Sequence, residues 1–161
     1  MEPENILKGR MAESLVEELL KQCGNKVYRF GYEAVLQNLT QLERTFDRES
    51  EVGKRISSIP DFIVINKQGK PFFVEVKFRT DLVVYSKDIG RLDFIEKFWQ
   101  AKIILVTTQH PYFRVSNGPY LNEKQQWNWI PLKEDHDLET SDNILKQFDD
   151  LVGKYYLKEA H

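Results

Sequence analysis

Apolar residues recur at helical spacing near the start of the chain. Met11, Ala12, Leu15, Val16, Leu19 and Leu20 fall on one arc at about 3.6 residues per turn. The pattern predicts a helix over about residues 6–21, stopped by Gly24 and Asn25. Residues 26–32, with Val27, Tyr28 and Phe30, are strand-like in composition. Val35, Leu36, Leu39, Leu42 and Phe46 return to helical spacing and predict a second helix. Residues 44–55 are charged and poor in apolar side chains, which predicts a surface loop or frayed helix end.

Two β-rich runs follow, 59–65 and 71–78, separated by Asn66-Lys67-Gln68-Gly69-Lys70. This is the strongest hairpin signal in the chain. A three-residue loop at 67–69 puts glycine where a left-handed conformation is needed. Leu92, Phe94, Ile95, Phe98 and Trp99 mark a helix over about 88–100, and the aliphatic run 103–106 reads as a buried strand. A loop is expected over 107–123, a strand over 126–131, and a closing helix over 143–156 behind a Ser141/Asp142 cap. The order helix, strand, helix, hairpin, helix, strand, strand, helix indicates an α/β sandwich with a central mixed sheet flanked by helices.

Composition narrows the class. The 161 residues are enough for one domain, and 41% hydrophobic with 12% aromatic residues supply a sizeable core. One cysteine, Cys23, excludes an intramolecular disulfide and any multi-cysteine zinc site, and is read as a small buried residue. No apolar run reaches the roughly 18 residues of a membrane span, and the first residues lack an apolar signal core. A cytoplasmic protein in a reducing compartment is the expectation. A net charge of −2 argues against a general nucleic-acid coat. Divided along the chain, however, the charge is uneven. Residues 1–51 carry 7 basic and 10 acidic side chains, 52–102 carry 10 and 6, and 103–161 carry 6 and 9. The middle is a basic segment inside a mildly acidic protein.

That segment contains the hairpin. With the loop centred on Gln68, Asn66 faces Lys70 and Asp61 faces Glu75. Directly opposed residues in an antiparallel pair lie about 4.5–5.5 Å apart at Cα, and alternation puts Glu75 and Lys77 on one face with Asp61. Facing like charges destabilise a sheet, and a divalent cation bound by hard oxygens would neutralise them. On an ordinary strand edge the same residues would simply face solvent.

The dipeptide Pro60-Asp61, followed after thirteen residues by Glu75-Val76-Lys77, resembles the motif of the PD-(D/E)xK nuclease superfamily, the restriction-endonuclease-like fold. Gly9-Arg10-Met11-Ala12-Glu13 is similar to the first-helix segment in which family members commonly carry a glutamate, and Glu13 is the matching position. The resemblance covers about residues 5–107. It implies that Asp61 and Glu75, with the Val76 carbonyl, bind Mg2+ (or Mn2+), that Glu13 completes or orients that shell, and that Lys77 assists the attacking water. The implied reaction is hydrolysis of a DNA phosphodiester bond, of resolvase, repair or restriction type. Lys54, Arg55, Arg79, Lys87 and Arg91, with Lys97 and Lys102, then become candidate phosphate contacts. Cutting both strands would favour a homodimer. A catalytically silent nucleic-acid-binding protein, or a nuclease subunit directed by other proteins, is the alternative on the same fold.

Other candidates are weaker. His110, His136 and His161 are too scattered for a zinc set. Trp127 and Trp129 alternate as core residues do, and the Glu134–Asp137 run lacks the glycine and distal glutamate of a calcium hand. No glycine-rich phosphate loop is present, so no nucleotide cofactor is expected.

Overall fold

A computed structural model describes residues 2–31 and 46–157. The helix expected over 35–46 lies outside the described residues except for Phe46. The first helix, α1 (Pro3–Gln22), runs slightly longer than its apolar arc. It buries Ala12, Val16, Leu19 and Leu20. Its C-terminus closes as the sequence predicts. Gly24 adopts φ +95°, and the Asn25 and Gly24 amides donate to the carbonyls of Leu20 and Lys21. These are the two bonds of a Schellman stop, which satisfy carbonyls the helix leaves open.

Strand β1 (Lys26–Arg29) leads toward α2 (Glu51–Ser57), the hairpin β2 (Phe62–Ile65) and β3 (Pro71–Arg79), then α3 (Ser86–Phe98) and β4 (Lys102–Thr107). After these come β5 (Phe113–Ser116), β6 (Ile130–Pro131), a 3-10 turn (Leu132–Glu134) and α4 (Asp142–Tyr156). The six strands lie side by side in chain order. Among the described residues only β3 and β4, joined through α3, run parallel; every other pairing is antiparallel. The α/β architecture expected, a mixed sheet flanked by helices, is the one observed.

Alternation along β3 divides the core. Val74 and Val76 join Phe62, Val64, Ile104 and Val106 against α1 and α4. On the other face Leu92 and Ile95 of α3 pack with Ile103, Tyr120 and Trp127. Phe30, Phe73 and Trp99 close one side of this layer, with ring centroids 5.3–5.7 Å apart. The Tyr120 hydroxyl donates to the Ala101 carbonyl beneath it. Cys23 and Trp127 are buried, as their patterns suggest.

Three elements differ from the sequence reading. Residues 51–55, the end of the 44–55 stretch expected as loop or frayed end, belong to α2. Ser50 caps it by accepting the Gly53 amide at 3.0 Å, a local bond that outweighs the scarcity of apolar residues. Strand β5 lies within the segment expected as loop: Phe113 and Val115 face the main core. The strand expected over 126–131 reduces to Ile130–Pro131, preceded by an isolated bridge between Leu121 and Trp127.

Lys102 is also placed differently from expectation. It lies on the α1/α4 face, buried, with its ammonium 3.0 Å from Asp135, 2.9 Å from Asp137 and 2.6 Å from Asn117. It ties β4 to the segment before α4 and is removed from any phosphate-binding role. The Glu134–Asp137 run is thereby the other half of a structural ion pair. Removing one member of a buried pair leaves the other uncompensated. We expect Lys102→Met to lower stability by about 3 kcal/mol, read as a shifted urea midpoint with an unchanged slope.

Candidate active site

The hairpin turn fixes the register on which the site depends. Gly69 adopts φ +81°, the Asn66 amide donates to the Lys70 carbonyl at 3.0 Å, and Gly69 donates back to Asn66 at 2.9 Å. The Asn66 side chain also accepts from the Gln68 and Lys70 amides, an Asx-type brace. Pairing then runs Ile65 with Pro71 through Phe62 with Val74. One step further along the same register, Asp61 stands opposite Glu75.

Strand pairing ends at Phe62, and Asp61 replaces the missing ladder partner with its side chain. The Val76 amide donates to Asp61 Oδ2 at 2.7 Å. In antiparallel pairing a residue's N–H and C=O point to the same neighbour, so the Val76 carbonyl leaves β3 on the edge where Asp61 sits. The Asp61 carbonyl is held in turn by the Phe30 and Gly31 amides, at 2.8 and 3.2 Å. Both ends of the aspartate are thus positioned, one by the two residues that follow β1 and the other by β3.

Glu75 and Lys77 project toward α3 rather than α1. Both are buried, at 3% and 9% exposure. Lys77 Nζ lies 3.7 Å from Glu75 Oε1, and Arg91 Nη2 of α3 lies 3.3 Å from the same oxygen. Glu75 Oε2 is buried without a hydrogen-bond partner among the described residues. Arg79 is held by Asp88 at 2.8 Å and by the Phe78 carbonyl.

The electrostatics follow from this crowding. Burial, then the nearby charges of Glu75 and Glu13, push the Asp61 carboxyl up to about 8. Burial lowers the Lys77 amine below its ordinary value; Glu75 opposes that shift, and Arg91 and Arg79 reinforce it. Among the described residues no three His, Cys, Asp or Glu side chains converge closely enough to hold a metal ion. Glu13, half-buried on α1, reaches Asp61 through its charge. The donor set nevertheless fits a hard cation. Two carboxylates, one buried and one half-buried, repel one another, the buried one keeps an unsatisfied oxygen, and a main-chain carbonyl leaves the same edge.

The remaining candidates separate into groups. Arg91 reaches the site directly. Arg79 is tied to Asp88, whereas Lys54, Arg55 and Lys87 lie against aromatic rings of α2 and α3's surroundings, with Lys54 over Phe94, Arg55 over Phe98 and Lys87 over Tyr85. Asp88 escaped the sequence reading. An acidic residue in a first helical turn is ordinary, and nothing local shows that this one is buried, with one oxygen on Arg79 and the other unsatisfied. The described helices include none long and apolar enough to cross a membrane.

The sequence matches no protein-family model and no curated protein. Among solved structures the chain is similar to Hjc of Archaeoglobus fulgidus, a Holliday junction resolvase from an archaeal hyperthermophile. The identity is 18% and the TM-score 0.42, over 86% of this chain and 98% of that one.

Proposed function

We propose that this chain is a divalent-metal-dependent endonuclease that hydrolyses DNA phosphodiester bonds. The observation that carries the reading is the Asp61–Glu75 carboxylate pair, Glu75 buried and Asp61 half-buried, beside the buried Lys77 amine. Two carboxylates in such a place ionise together only with positive charge beside them. Arg91 and Lys77 supply part of it, both on Glu75 Oε1. Asp61, Glu75 and the Val76 carbonyl would hold Mg2+ or Mn2+, with Glu13 adding negative charge from α1. When bound, such an ion polarises a phosphate and acidifies water.

The chain's own groups do the rest. Lys77 Nζ, with its affinity for protons lowered by burial, is suited to exchange a proton with water and to stabilise charge developing on a phosphoryl oxygen. Arg79 acts on Lys77 through its field, since its donors are engaged by Asp88 and Phe78. Arg91, half-exposed beside Glu75, is suited to contact an incoming phosphate. Lys54, Arg55 and Lys87 would add sequence-independent phosphate contacts. Cleavage of both strands would call for two copies of the chain.

The test is a panel of supercoiled, linear, branched and single-stranded DNA incubated with Mg2+, Mn2+ or chelator, with Asp61→Ala alongside. Metal-dependent cleavage of at least one form, lost in chelator and in Asp61→Ala, is the expected result. Metal and DNA binding without cleavage of any form would make this a nucleic-acid-binding protein instead.

A further inference from the structure

Helix α3 leads away from the site along one face. Lys87, Arg91, Phe94 and Phe98 follow at spacings of four, three and four residues, which at about 100° per residue confines them to an arc of roughly 60°. Arg91 touches Glu75 at one end. At the other end the Phe94 and Phe98 rings lie parallel, 5.9 Å apart at 5°, and both are only half-buried. Cations frame these two rings: Lys54 lies 5.4 Å from the Phe94 centroid, and Arg55 and Lys97 lie 5.6 and 5.1 Å from that of Phe98.

A face meant only for solvent has little use for two parallel aromatic rings, and a face meant for an apolar partner has little use for three cations around them. Together they suit a ligand that is anionic along its backbone and flat in its side groups. A fully paired duplex offers its phosphates but keeps its base faces stacked inside; an unpaired strand offers both. From Arg91 to Phe98 the helix advances about 10 Å, the length of about three stacked nucleotides at about 3.4 Å each.

We propose that the α2/α3 face is a track for an unpaired DNA strand entering the site, with a base stacked on Phe94 and Phe98 and phosphates held by Lys54, Arg55 and Lys97. This rests on the nuclease reading of the site and narrows its substrate to DNA carrying a single-stranded stretch. The track binds a strand whether or not the chemistry proceeds, so binding and cutting are separable.

The test is fluorescence anisotropy in chelator, where no cutting occurs. The probes are a 12-nucleotide single strand, a blunt duplex and a duplex with a single-stranded arm. Wild type is expected to bind the single strand and the armed duplex at least tenfold more tightly than the blunt duplex. Phe98→Ala and Phe94→Ala are expected to weaken single-strand binding by about five- to a hundredfold and leave blunt-duplex binding within twofold. Phe98→Leu, which keeps the packing volume, is expected to behave like Phe98→Ala. Lys54→Ala and Arg55→Ala are each expected to lower the salt slope for the single strand by about 0.7. Equal affinity of wild type for all three probes, or an arm preference intact in Phe98→Leu, would overturn the proposal. Cleavage lost in Asp61→Ala alongside absent arm preference would sink the track and keep the nuclease reading. Arm preference without cleavage by wild type would sink that reading and keep the strand-binding face.

Discussion

Lys77→Met is expected to lower the rate of DNA cleavage by about 10²–10⁴-fold while leaving divalent-metal binding in place. Methionine matches the lysine stem in length and apolar character, so a position with 9% exposure stays filled. What disappears is a single amine, 3.7 Å from Glu75 Oε1. Arg91 still faces that oxygen at 3.3 Å, so the carboxylate is not left without a cation. Under single-turnover conditions the loss should fall on the chemical step, with the DNA concentration for half-maximal rate little changed. A loss confined to DNA affinity would make Lys77 a binding residue. Unchanged cleavage would remove it from the mechanism.

The second large effect concerns stability. In metal-free buffer Asp61→Asn is expected to be more stable than wild type at pH 8, with the difference closing toward pH 4. The folded Asp61 carboxyl titrates at about 8, the unfolded one at about 3.9. Between those values the folded protein holds a proton that the unfolded chain has released. The stabilisation this provides is complete below about pH 4 and is lost as pH rises toward about 8, at a limiting slope of about 1.4 kcal/mol per pH unit. Asparagine keeps an oxygen for the Val76 amide, which now lies 2.7 Å from Asp61 Oδ2, and does not titrate. Saturating Mg2+ or Mn2+ should narrow the difference at pH 8 by stabilising wild type alone, by about 2.7 kcal/mol at a hundred times the dissociation constant. Thermal unfolding from pH 4 to 8, with and without metal, reads both effects. Parallel pH curves for the two proteins would show that the carboxylate is not strained by its neighbours.

Much of the site's framework was legible because it is local. Asn66 and Gly69 specify a tight turn, the turn specifies register, and register places Asp61 opposite Glu75. The helix stop at Gly24 was legible for the same reason: one residue tolerates φ +95° where others do not. What escaped depends on distant partners. Lys102 looks like any basic residue beside a helix until Asp135 and Asp137, 33 and 35 residues away, fold onto it. Asp88 and Arg79 show no sign in sequence of meeting across the start of α3. Strand β5 is four residues long, the shortest run in which alternation can be read against its surroundings. The basic middle segment contains the candidate site, but its count includes Lys102, which the fold buries.

The central claim is that Asp61, Glu75 and Lys77 form one metal-dependent phosphodiester-cleaving unit. The most direct measurement is the single-turnover cleavage rate, in Mn2+ and in chelator, of wild type, Asp61→Ala, Lys77→Ala and the double variant, each shown to be folded by circular dichroism. The account predicts cleavage by wild type in Mn2+ alone, a near-complete loss in either single variant, and little further loss in the double, because residues acting as a unit are not additive. Cleavage that survives both substitutions, or that proceeds equally in chelator, would contradict it.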